Sequence, residues 1–185
     1  MSTGYRDWQP GLLRALRDRG VCCWQMPDAT PFPPLTYILI LEVPVATAVQ
    51  VGRLTEAKFE PGWLYYVGSA KRAGAHRLRR HLESRKKMHW HIDYLTTSPN
   101  LHFWAILGWQ SSEQSECSLV AELAGQKGSR FAVPGFGTGD CTSRCVSHLL
   151  GFSDTSAHRH AWNWLLSREP EPLLRCSREA CADSP

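Results

Sequence analysis

Trp63-Leu64-Tyr65-Tyr66-Val67-Gly68-Ser69-Ala70, followed closely by Gly74-Ala75-His76-Arg77-Leu78-Arg79-Arg80-His81-Leu82, is the stretch on which the fold turns. Aromatic and β-branched residues crowd its first part, as in a short strand over 63–67, and Gly68-Ser69 reads as the turn that ends it. Beyond the turn, Ala75, Leu78 and Leu82 recur at spacings of three and four, which predicts a helix over 71–86 with a buried stripe. Gly74, Arg77 and His81 line one flank of that stripe, so Arg77 and His81 are expected as neighbours at the edge of the core. Lys71, Arg72, Arg79, Arg80, Arg85, Lys86 and Lys87 face elsewhere, with Glu83 the only acid among them. Positive charge gathered this way suits phosphate.

Outward from this unit, the pattern predicts strands over 36–43, 48–52, 91–96 and 102–109, a helix over 112–125, and then an irregular glycine-rich closure. Val43-Pro44 and Gly52 stand at turns too tight for crossovers, so the first strands read as an antiparallel meander. The fold class expected is α+β, a small central antiparallel β-sheet flanked by helices. On the second helix, Glu116 shares a face with Leu119, Val120 and Leu123, whereas Glu113 and Glu122 point to solvent. A carboxylate at the head of an apolar stripe needs a partner, either a divalent metal or an arginine such as Arg77. His89, His91 and Asp93 alternate along the expected strand and so share one face, read as a polar surface for nucleic acid or for orienting the basic helix, with metal binding the alternative.

The chain has 185 residues, 43% of them hydrophobic and eight of them Trp, enough for one domain with its own core. Residues 1–34 contain Pro27 and Pro31-Phe32-Pro33-Pro34 and read as an N-terminal extension and linker; 35–152 is the domain; 153–185 reads as a helix around 161–166 and a disordered tail. No run is long enough to span a membrane and no signal-peptide core is present, so a cytoplasmic location is expected. Net charge is only +4, but the basic residues are concentrated in 71–87.

Seven cysteines are an odd set and a poor disulfide framework in a chain of this length. Cys141, Cys145 and His148 follow a C-x3-C-x2-H spacing, three of the four ligands that a structural zinc needs. Buried thiols packing a glycine-rich turn are the favoured reading there, with Zn2+ the alternative.

Five ordered blocks carry a resemblance. They are Thr36-Tyr37-Ile38-Leu39-Ile40; Gly62 through Ala70 with the Arg77–Leu82 helix; His89-Trp90-His91-Ile92-Asp93-Tyr94-Leu95; Glu116-Cys117-Ser118-Leu119; and Pro134-Gly135-Phe136-Gly137 through Asp140-Cys141 to Ser147-His148-Leu149. Together they resemble the GIY-YIG endonuclease superfamily, in its Uri-like branch, over residues 35–150. Leu35-Thr36-Tyr37 stands where the superfamily name has Gly-Ile-Tyr, and no Asn lies between Asn100 and Asn163, where many members place one. The resemblance implies a metal-dependent endonuclease that hydrolyses phosphodiester bonds. It implies Tyr37 as general base and Tyr66 as its orienting partner, or the two with roles exchanged, Arg77 as a phosphate ligand, and Glu116 as the ligand of Mg2+ or Mn2+. His81, one turn from Arg77, is read as binding phosphate or shuttling a proton. Nucleic acid, with DNA the expected form, would be held by Lys71, Arg72, Arg79, Arg80, Lys86, Lys87, His89 and His91. Two other readings stand beside this one: a nucleic-acid-binding module that does not cut, and a zinc-stabilised interaction domain.

Overall fold

A computed structural model of the chain describes residues 35–54, 56–70, 74–110, 114–168 and 171–175. The expectations that rest on 1–34, on Lys71 and Arg72, on Glu113 and on the chain after 175 lie outside them. The architecture is α+β, with a six-stranded antiparallel sheet and helices on both of its faces. In chain order the elements are β1 (Leu35–Val43), β2 (Thr47–Gln50), β3 (Glu56–Phe59), β4 (Gly62–Ala70), α1 (Gly74–Leu82), α2 (His91–Thr96), β5 (His102–Gln110), α3 (Glu116–Ala124), β6 (Ser129–Phe131), β7 (Leu149–Phe152), α4 (Thr155–Leu166) and β8 (Glu171–Arg175). The sheet order is β6-β7-β4-β1-β5-β8, and β2 and β3 form a separate hairpin.

The central strand explains the rest. β1 is flanked by β4 and β5 and covered on both faces, which is why Leu35–Leu41 is a continuous buried run rather than an alternation. Each fully buried aliphatic there contributes roughly 1.5–3 kcal/mol. One face packs Leu35, Tyr37, Leu39 and Tyr66 under α1 and α2 through Leu78, Leu82, Ile92 and Leu95. The other packs Ile38, Ile40, Tyr65 and Val67 under α3 and α4 through Leu119, Leu123, Ala161 and Leu165. Tyr65 and Tyr66, adjacent in sequence, therefore serve opposite cores, as alternation along a strand requires.

Several expectations are corrected. The meander is interrupted, because the partners of β1 are β4 and β5 while β2 and β3 pair only with each other. Gly68-Ser69 does not end a strand: β4 runs on to Ala70, with Gly68 opposite Tyr37 and Ser69 opposite Thr36. Residues 91–96 form a helix, not a strand, since the Asp93 carboxylate accepts the backbone N–H groups of His89 (2.9 Å) and Trp90 (3.0 Å) and so caps the first turn. His89, His91 and Asp93 consequently do not share one strand face.

The glycine-rich closure contains β6 and β7, both joined to the sheet. The C-terminal helix begins at Thr155, where Asp154 accepts the Ser156 N–H at 2.9 Å, and it buries Trp162 against Trp104 with ring centroids 4.5 Å apart. It thus belongs to the domain core. Residues 171–175, expected without structure, return as β8 along β5.

Candidate functional site

Tyr37 and Tyr66 sit on neighbouring strands and on the same sheet face, with ring centroids 6.4 Å apart. Their proximity depends on Gly68. A β-carbon there would lie 2.7 Å from the Tyr37 hydroxyl and 3.0 Å from the Tyr66 ring, so any side chain would displace the phenol. In register, Tyr37 stands between Gly68 on β4 and Gly108 on β5.

Helix α1 lies over this pair and delivers Arg77 and His81, one turn apart on the flank of its buried stripe. His81 is fully buried, and its Nε2 is 2.6 Å from the Tyr37 hydroxyl. The Arg77 guanidinium lies beside both phenols and stacks over the Trp90 ring at 4.5 Å. Since Arg77 can only donate, the arrangement that satisfies both neighbours has Tyr37 accepting from Arg77 and donating to His81 Nε2. His81 Nδ1 then carries the ring proton, and it has no hydrogen-bond partner among the described residues.

Helix α3 covers the opposite face, yet its first residue, Glu116, is half-buried and close enough for its charge to act on Tyr37, Tyr66 and Arg77. The helix starts at Glu116 because Ser115 caps it, accepting the Ser118 N–H at 3.1 Å. Leu119, Val120 and Leu123 are buried as the stripe predicts. Glu122 is not simply solvated: it pairs with Arg168 at 2.6 Å and accepts from Gln114 at 3.2 Å, tying α3 to the end of α4.

Two opposing effects set the protonation of this pocket. Burial pushes the Tyr37 hydroxyl well above its ordinary pKa, with the nearby Tyr66 adding to the effect, and raises Tyr66 to about 12. Arg77 pulls both down, but burial wins, so both are neutral phenols in the free protein. Burial, reinforced by the charges of Lys86 and Arg77, depresses His81 to about 3. It too is neutral, and able to accept a proton only as new negative charge arrives. Asp140 adds negative charge near Tyr66.

The basic set divides. Lys86, expected to face nucleic acid, is instead buried: its Nζ lies 3.4 Å from the Asp93 carboxylate and donates to the Arg80 carbonyl at 2.6 Å and Thr96 Oγ1 at 2.8 Å. Arg80 is likewise committed, with Nη2 at 2.7 Å from Asp93 and donating to the Lys87 carbonyl. Asp93 itself is fully buried; burial alone would raise its pKa, but the Trp90 and His89 N–H groups, Arg80 and Lys86 outweigh that and hold it low. His91 Nδ1 accepts the Gly137 N–H at 3.1 Å, and burial keeps that ring's pKa below its usual value. Arg79, Lys87 and His89 remain exposed.

A second constellation begins at the residue after Glu116. Cys117, Cys141, Cys145 and His148 bring their ligand atoms within 4.8 Å of one another, a group that could hold a metal such as zinc. Sequence spacing identified three of the four and missed Cys117. It is 24 residues from Cys141 along the chain, and only the packing of α3 against the 132–148 loop brings them to 3.6 Å.

The sequence model of a family described as a domain of unknown function, DUF123, matches residues 36–168 of the chain. Nothing among curated proteins or solved structures matches it.

Proposed function

This chain belongs to the DUF123 family, and from that footing we propose that it is a metal-dependent endonuclease, a relative of the GIY-YIG enzymes, that hydrolyses phosphodiester bonds in nucleic acid. The observation that carries the reading is convergence. Tyr37 and Tyr66 from two strands, Arg77 and His81 from α1 and Glu116 from α3 meet in one pocket, although the sequence separates them by up to 79 positions. They come from three of the five motif blocks.

In this reading Arg77, kept charged and half-buried, binds the scissile phosphate and neutralises charge growing on its non-bridging oxygens. Tyr37 is the base. Its oxygen takes the proton of the attacking water as its own proton passes along the 2.6 Å hydrogen bond to His81 Nε2, so no free phenolate forms in a buried pocket. The positive charge left on His81 is offset by the incoming phosphodiester. Tyr66 orients the water or the phosphate. A single half-buried carboxylate, Glu116, fits Mg2+ or Mn2+, which needs few protein ligands and keeps its waters; bound there, the ion would stabilise the leaving oxygen. Exposed Arg79, Lys87 and His89 would carry the flanking backbone, DNA being the form we favour, and the site of action would be the cytoplasm.

The test is cleavage of end-labelled single-stranded, duplex, flapped and branched DNA and RNA, with Mg2+, Mn2+ or EDTA. Wild type is expected to cut in a metal-dependent way, and Glu116→Gln to lose at least about 100-fold in rate. Binding without cutting by the wild type would replace the nuclease by a nucleic-acid-binding module, and undiminished cutting by Glu116→Gln would remove the glutamate from the chemistry.

A further inference from the structure

Three thiols and one imidazole do not meet by the demands of packing alone. Cys117 comes from the first turn of α3, Cys141 and Cys145 from the loop after β6, and His148 from the residue just before β7. The three cysteines are half-buried and free, and His148 is buried, with an Nε2 that finds no hydrogen-bond partner among the described residues. A disulfide would employ two of the sulfurs and leave the third thiol and the ring unused. A tetrahedral ion employs all four.

The dimensions agree with that. Zn–S bonds of about 2.3 Å in a tetrahedron set the sulfurs about 3.8 Å apart, and Cys117 Sγ and Cys141 Sγ are separated by 3.6 Å. Thiolate and imidazole donors favour zinc over the hard, oxygen-seeking ions expected at Glu116. Four protein ligands fill the coordination shell, which marks a structural rather than a catalytic site.

We propose that Cys117, Cys141, Cys145 and His148 bind one Zn2+ that locks the first turn of α3 to the loop closing over β4. The consequence reaches the neighbouring pocket. Cys117 follows Glu116 directly, and the backbone of His148 accepts from Val67 (2.9 Å), the residue after Tyr66, while donating to Phe136 (2.8 Å). A β-carbon on Gly137 would come within 3.1 Å of both the His148 Cβ and the Tyr66 ring, so the loop is seated tightly against that tyrosine. The ion thereby holds Glu116 and Tyr66 in one frame from outside the pocket. Its binding does not depend on the nuclease reading.

The experiment is metal analysis of the full chain purified without chelator, together with Co2+ uptake by protein stripped of metal. One zinc per chain is expected, released when a mercurial blocks the thiols. The Co2+ form should show thiolate-to-cobalt charge-transfer bands and the visible bands of tetrahedral cobalt. Cys117→Ser and Cys145→Ser should lose the zinc, whereas Glu116→Gln should retain all of it while losing cleavage, which separates the two metals. The wild-type cobalt spectrum decides the matter even if a cysteine variant fails to fold. Wild type with little zinc and no charge-transfer bands, or Cys117→Ser with unchanged zinc, would overturn the proposal.

Discussion

Gly68 shows how much can rest on a missing side chain. Its hydrogen leaves the space in which the Tyr37 hydroxyl reaches His81, with 2.7 Å between that oxygen and the place a β-carbon would take. Gly68→Ala must move the phenol, since the backbone on either side is held in the ladder with β1. We expect it to cost about 1–3 kcal/mol of stability and to slow cleavage by roughly 100-fold, the usual penalty for displacing a reacting group by an ångström. Urea midpoints and single-turnover rates measure the two effects separately; a variant with wild-type values in both would show that the phenol does not need that space. Arg77, His81 and Glu116 stood out in the sequence by residue type and helical spacing, whereas Tyr37 and Tyr66 were marked only by the motif resemblance. Gly68 was read only as punctuation, although a glycine inside a strand equally marks a close approach. Cys117 carried no local signal at all, because its partners are supplied by tertiary packing.

At the scale of single elements, α2 is the instructive case. Its six residues give too short a window to separate alternation, His91-x-Asp93-x-Leu95, from helical spacing, Ile92-x-x-Leu95-Thr96, which the same segment also offers. What decides is the buried Asp93 carboxylate, which caps the turn and gathers Arg80 from α1 and Lys86 from just beyond it. Two of the cations expected at a nucleic-acid surface are thereby spent on holding α1 and α2 together. Asp93→Asn removes the charge from a group with no exposure while leaving a buried ammonium beside it. It should cost about 3 kcal/mol, read as a lower urea midpoint with an unchanged slope; an unaltered midpoint would mean that Lys86 finds another partner. The long strands β1, β4 and β5 were recognisable because each is a sustained apolar run. The short β3, β6 and β7 were not, since three or four residues carry little pattern and form only against strands already in place.

The whole molecule carries its histidines in an uneven way. His81 is depressed to about 3 by burial and nearby cations, and burial depresses His158, hydrogen-bonded to Tyr65 at 2.9 Å and stacked on Trp63, to about 4. Both fall below the unfolded value of about 6.5, so the unfolded chain takes up protons first as the medium becomes acidic. Their contribution to stability is therefore full above about pH 6.5 and is lost as pH falls toward the folded values. Each histidine should cost about 1.4 kcal/mol per pH unit within that window. Urea melts at about pH 7.5 and about pH 5 check this, and His158→Phe should roughly halve the slope; a slope the same as wild type would assign the acid sensitivity elsewhere. The overall class was readable from the succession of strands and helices, but the sheet order was not. Placing β1 between β4 and β5 depends on which apolar faces find each other, a choice made by the assembled core and not by any one segment.

The last strand, β8, has a meaning for the molecule in company. It lies along β5, so over Ala105–Gly108 that flank of the strand is paired by the chain itself. At the other end of the sheet, β6 offers only three residues, one of them Arg130, too short and too charged a template for a neighbour to extend. At its two margins the sheet therefore presents strands of three and five residues in place of an open flank along Ala105–Gly108, and the segment that covers that flank begins just past residue 168, where the family match stops.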